Sequence, residues 1–250
     1  MNVDEHIDVL RWEGPRLADA AAQTGLDAKV PSCPAWVVGD LVRHQGGVHR
    51  WATGVVAGPR TKAWNVDLDE VVGTWPADDA LLDWFRAGHT ALVDALANAA
   101  PTLDCWTFLQ APSPRAMWAR RQAHETTVHR IDAELAAGGS LTTIDAPFAA
   151  DGVDELLACF ITRRGGRLRA DPPRSLRVRC TDAAGDWLVA IGPDGVETTP
   201  GRDGAECTVA APAADLYLAL WSRRDLDGLD VAGDRAVLDL FLDKVHVRWS

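Results

Sequence analysis

Four stretches of the first 145 residues carry apolar side chains at helical spacing, and this pattern limits the N-terminal half to packed helices. The first runs from Val3 to Gln23, with Ile7, Leu10, Leu17 and Ala21 along its apolar stripe. Gly14-Pro15 interrupts it and predicts a kink or a late helix start. The second covers Val37 to Val56, after the turn-forming Pro31-Ser32-Cys33-Pro34. The third spans Asp78 to Asn98. The fourth starts near Ser113-Pro114 and stops at Gly138-Gly139, a cap and a terminator. Four such helices, with longer connections at 59–77 and 99–112, predict a four-helix bundle.

The pattern then changes. Residues 146–164 read as one more helix. Short β-like runs follow at Ser175–Cys180, Trp187–Ile191 and Glu206–Ala210, with a turn signal at Gly192-Pro193-Asp194-Gly195. Helical patterns return at Pro212–Ser222 and Asp234–Leu242. The expected class is therefore an all-helical bundle over residues 1–145 joined to a small α+β domain over residues 146–250.

Charge narrows the function. A net charge of −11 and a pI near 5.0 give a surface that repels phosphate backbones and anionic lipid. Nucleic acid and membranes are thus not the expected partners, and no apolar run approaches the roughly 20 residues of a membrane span. The opening stretch MNVDEHIDVLRW is acidic and amphipathic, unlike a secretory signal. Five scattered cysteines form no CxxC pair, which argues against a disulfide framework. Both features point to a reducing cytoplasm. Three lysines stand against 22 arginines, a bias that suggests a GC-rich genome.

The segment from Arg121 to Arg130 bears the chemistry. Glu125 and His129 are four residues apart, so they lie about 40° from each other on one helix face. His124 and His129, five apart, diverge by about 140° and do not share a metal easily. On the second helix His44 and His49 are again five apart, and only one can face the core at that level. His44 follows the apolar pair Leu41 and Val42 and precedes Gly46 and Gly47, which allow close approach of a helix or ligand. Two imidazoles and a carboxylate suit Zn²⁺ or another first-row cation. Three protein ligands leave a position open, as in catalytic sites. The competing reading is an ordinary solvated Glu–His pair at i, i+4. His49 and His124 read as hydrogen-bonding or water-facing neighbours, and His6, His89 and His246 as ordinary histidines. Cys33 has no histidine clearly placed to activate it and reads as structural.

These segments resemble the mycothiol-dependent maleylpyruvate isomerase family, within the DinB-like metal-binding bundle superfamily. The resemblance rests on Val30-Pro31-Ser32-Cys33-Pro34-Ala35-Trp36, then Asp40-Leu41-Val42-Arg43-His44, then the run from His124 to Glu134. Leu218 to Arg224 and Val231-Ala232-Gly233-Asp234 add a second-domain pattern. The resemblance implies a DinB-like bundle followed by an α+β domain similar to sterol-carrier folds. It implies a divalent metal on His44, Glu125 and His129, and mycothiol, the low-molecular-weight thiol of actinobacteria, as cofactor. The implied partners are that thiol and a small electrophilic or unsaturated acid.

The implied reaction is cis–trans isomerisation. The alternatives are a mycothiol S-transferase, or a protein that binds metal and small ligands without catalysis. No short motif carries the family's substrate-binding arginines across. Arg86, Arg223 and Arg224 are the candidates for holding a substrate carboxylate, against the plain reading of surface arginines.

Overall fold

A computed structural model of the chain describes residues 1–58, 60–163 and 165–247. It forms two compact units, one of residues 1–142 and one from residue 143 onward.

The first unit is built on helices α1 (Val3–Thr24), α2 (Val38–Val56), α3 (Leu68–Val72), α4 (Asp78–Asn98) and α5 (Pro114–Ala137). Their ends follow capping chemistry. Asn2 accepts from the Glu5 backbone N–H at 2.9 Å, while the Glu5 carboxylate accepts from the Asn2 N–H at 2.7 Å. Ser113 accepts from the Ala116 N–H at 3.2 Å to start α5, and Gly138, at φ 69°, ends it. Helix α1 packs on α4 and α5, and α2 packs on the same two.

Helix α1 starts at Val3 and runs through Pro15 without a break, so the late start suggested by Gly14-Pro15 is not taken. Helix α4 supports this stretch. His89 Nε2 lies 2.8 Å from the Leu10 carbonyl, to which it can only donate. A Cβ on Gly14 would stand 2.3 Å from the His89 ring, so the glycine is what lets the ring in. The glycines after His44 also serve packing. A Cβ on Gly46 would stand 2.2 Å from the Trp84 ring of α4, so a neighbouring helix, rather than a ligand, approaches there.

Helix α5 departs from ordinary amphipathicity. Apart from Arg120 it is buried from Met117 to Ala133, on all sides. A helix buried all round is expected to be apolar. This one buries Arg121, Gln122, His124, Glu125, His129, Arg130 and Asp132. Each such group is costly to bury without a hydrogen bond or a charge partner, so the polar content of α5 demands partners from its neighbours.

In the second unit, α6 (Ala146–Asp154) runs into a π-helical turn at Glu155–Phe160. The helix expected over 146–164 is therefore shorter and changes type, and Arg164 lies outside the described residues. The sheet has five strands: β1 (Arg174–Cys180), β2 (Asp186–Ile191), β3 (Val196–Pro200), β4 (Cys207–Ala211) and β5 (Asp230–Gly233). Their order is β3-β2-β1-β4-β5, with β1 and β4 parallel and the other pairs antiparallel. The predicted turn joins β2 to β3, closed by Gly192 N–H donating to Gly195 O at 2.8 Å. Leu176, Val178 and Cys180 alternate inward along β1. Helices α7 (Ala213–Leu220) and α8 (Arg235–Lys244) complete the unit. Among the described residues no helix is long and apolar enough to cross a membrane.

Candidate metal centre

Helix α5 contributes two ligand candidates one turn apart, and α2 contributes the third. His129 Nε2 lies 3.5 Å from Glu125 Oε1, and His44 Nε2 lies 3.9 Å from the same oxygen. The ligand atoms of all three lie within 4.8 Å of one another. Donors bound tetrahedrally at about 2.0–2.1 Å stand about 3.4 Å apart. The two gaps to Glu125 need only a small contraction to reach that spacing, and two imidazoles with one carboxylate are a borderline donor set. The residues therefore fit a divalent metal of the zinc class.

Each α5 ligand candidate is held from behind. Glu125 Oε2 accepts from Arg121 Nη2 at 2.5 Å, which leaves Oε1 to face the histidines. Arg121 is itself buried. Burial alone would raise the Glu125 pKa, but the Arg121 charge, with the His129 and His44 imidazoles facing it, holds it well below the usual carboxylate range. His129 Nδ1 lies 2.9 Å from Asp132 Oδ2. A carboxylate there accepts, so Nδ1 carries the proton and Nε2 is the atom turned to the site. Burial would depress His129, but its bond to Asp132 and the nearby Asp132 and Glu125 charges raise its pKa instead. His44 differs: burial dominates and lowers its pKa.

The loop before α2 shapes the other wall. It is pinched by Val30 N–H donating to Trp36 O at 3.1 Å and by Trp36 N–H donating to Cys33 O at 2.8 Å. The fold of this loop brings Trp36 to within 4.9 Å of the His44 ring, centroid to centroid. It also brings Ser32 to Asp132, with Ser32 Oγ donating to Asp132 Oδ1 at 2.5 Å. Cys33 is buried in the same loop, and none of the five cysteines forms a disulfide.

The histidines set aside on spacing lie elsewhere. His49 is fully buried in a triangle with Gln45 and Thr126, its Nε2 at 2.8 Å from Gln45 Nε2 and 2.9 Å from Thr126 Oγ1. His124 is buried rather than water-facing, its ring centroid 6.1 Å from that of His6. Of the arginine candidates, Arg86 is exposed and pairs with Asp19 at 3.1 Å and Asp83 at 3.5 Å. Arg223 is buried in the second unit and donates to the carbonyls of Trp221 and Val247. Arg224, in the same unit, pairs with Asp215 and donates to the Asp227 carbonyl.

Sequence reasoning gave Arg121, Asp132 and Ser32 no role. The first two had a signal: Arg121 is four residues before Glu125, and Asp132 three after His129, both helical-neighbour spacings. Ser32 had none, being 100 residues from Asp132.

Comparison with known proteins bears on the fold and the family. The model described as the mycothiol maleylpyruvate isomerase N-terminal domain matches residues 10–134, half of the chain. The corresponding C-terminal domain model matches residues 147–240. Among curated proteins none matches significantly. Among solved structures, a mycothiol-dependent maleylpyruvate isomerase is similar at 14% identity and a TM-score of 0.62, over 100% of this chain and 98% of the other. A histidine-to-alanine mutant of such an isomerase gives 0.63 at the same identity and coverage. These structures share the fold, a helical region followed by a small mixed sheet, and with both domain models matched in order the chain belongs to the mycothiol-dependent maleylpyruvate isomerase family.

Proposed function

We propose that the chain is a metal-dependent enzyme that uses a low-molecular-weight thiol, mycothiol, to isomerise a small cis-unsaturated diacid of the maleylpyruvate type. The single observation behind this reading is the convergence of His44, Glu125 and His129 in a chain of this family. A divalent cation held by these residues, with zinc the choice that fits the donors, supplies positive charge that favours the thiolate form of a thiol near neutral pH.

The protein groups have separate tasks. Arg121 keeps Glu125 ionised and keeps its second oxygen occupied. Asp132 keeps the proton of neutral His129 on Nδ1. Trp36 packs beside His44 and limits water on that side. In the reaction a thiolate sulfur adds to one alkene carbon, and the displaced π pair moves into the conjugated carbonyl. The former double bond is now single and rotates. Return of the electron pair expels the thiolate and leaves the trans alkene, with no net oxidation or reduction. An arginine suits the diacid by paired hydrogen bonds. Arg86, Arg223 and Arg224 remain the proposals for that task, and each would have to exchange protein oxygens for substrate.

Assay of the zinc-loaded chain with mycothiol and maleylpyruvate tests the reading. The expected result is isomerisation that needs both metal and thiol, lost in His44→Ala and Glu125→Ala together with bound zinc. Conjugates formed with a panel of electrophiles, without isomerisation, would replace the isomerase by a thiol transferase. Zinc binding with no product from any substrate would reduce the chain to a binding protein.

A further inference from the structure

Asp132 has no solvent exposure, yet it is a carboxylate on the back of a helix that already buries several charges. A buried carboxylate is tolerated only where hydrogen bonds compensate it. Its two oxygens divide the work: Oδ1 accepts from Ser32 Oγ, and Oδ2 accepts from His129 Nδ1. The result is a three-residue chain, Ser32 to Asp132 to His129, that runs from the loop before α2 to the face where His129 Nε2 stands 3.5 Å from Glu125. An imidazole has two tautomers, and only the one protonated at Nδ1 leaves Nε2 with a lone pair for a cation.

We propose that Asp132 and Ser32 are positioning residues that lock His129 in this tautomer and ring orientation and so set how tightly the centre holds its metal. Neither residue touches the metal position; both act through His129. Ser32 fixes the rotamer of Asp132, because losing its hydroxyl leaves Oδ1 without that donor in a buried setting. The loop that carries Ser32 also carries Trp36, which lies against His44. The same loop therefore braces both histidines, one by a hydrogen-bond chain and one by ring contact. This proposal rests on the metal reading above.

The test is zinc affinity of the full-length chain, measured by competition with a chelating dye, beside the melting temperature of the metal-free protein. Asp132→Asn keeps shape but removes the charge, and is expected to weaken zinc about 10–100-fold. Metal-free melting should move little, and the cobalt-substituted form should show altered visible bands. Ser32→Ala is expected to weaken zinc by a smaller factor, with Ser32→Thr restoring it. A folded Asp132→Asn protein that binds zinc within about threefold of the parent chain would overturn the proposal. Should Asp132→Asn fail to fold, equal zinc affinity in the parent chain and Ser32→Ala would overturn it. A parent chain that binds no zinc at all would instead defeat the metal reading itself.

Discussion

Helix α5 carries two ionic clusters on adjacent residues, and they have been completed in opposite ways. Arg130 is closed off. Its Nε donates to Glu13 at 2.7 Å, and its Nη1 donates to Glu134 at 2.6 Å and to the Thr142 carbonyl at 3.2 Å. Glu134 also accepts from the Thr142 N–H and hydroxyl. Next to it, His129 with Glu125 and His44 forms a group whose ligand atoms stand 3.5 and 3.9 Å apart, too far for short direct hydrogen bonds and near the spacing of ligands around an ion. Both clusters are largely buried and both mix acid with base. What separates a structural lock from a candidate reactive centre is therefore the spacing of acid and base: direct contact around Arg130, ligand-like gaps around Glu125.

This contrast predicts different consequences for similar substitutions. The largest effect falls on the cluster around Glu125. Glu125→Ala should lose nearly all bound zinc, as read by metal analysis of purified protein, because it removes a ligand and its negative charge while the Arg121 guanidinium stays nearby. Arg130→Ala should keep zinc in its folded fraction but lose about 3 kcal/mol of stability in urea unfolding, since Glu13 keeps only Arg16, and Glu134 only the Thr142 groups, to offset its charge. Zinc loss without destabilisation in Arg130→Ala would erase the distinction between the clusters.

A smaller effect sharpens the comparison with a third buried group, the triangle around His49. Burial, with the charges of His89 and Arg50, holds the His49 pKa well below its ordinary 6.5. The unfolded chain then binds the proton more readily than the folded one. Stability contributed by neutral His49 is full above pH 6.5 and is lost as pH falls toward the depressed folded value. Urea midpoints of the metal-free chain should therefore drop between about pH 7 and pH 5, with a shallower slope in His49→Gln. An equal slope in the two proteins would show that another group governs acid sensitivity.

The parts of this picture legible in sequence are those with strong local periodicity. The long helices of the first unit announced themselves by apolar spacing and caps, and the Gly192 to Gly195 turn by its residues. The four-residue spacing put Glu125 and His129 on one face, and the structure places their tips 3.5 Å apart. Strands β3 and β5 were missed because they have no fully buried residue, so no alternating signal marks them. Helix α3 is only five residues long and has no buried residue, which left the 59–77 connection looking irregular. The π-helical turn changes hydrogen-bond spacing without changing composition. Ser32 escaped for a different reason: its partner is set by tertiary packing, and no local pattern links a loop hydroxyl to a carboxylate 100 residues away.

The central claim is most directly tested by anomalous diffraction at the zinc edge from crystals of the zinc-loaded chain. The account predicts one strong peak bonded to His44 Nε2, Glu125 Oε1 and His129 Nε2, at about 2.0–2.2 Å from each. A peak held by other side chains, with these three tips as far apart as before, would contradict it.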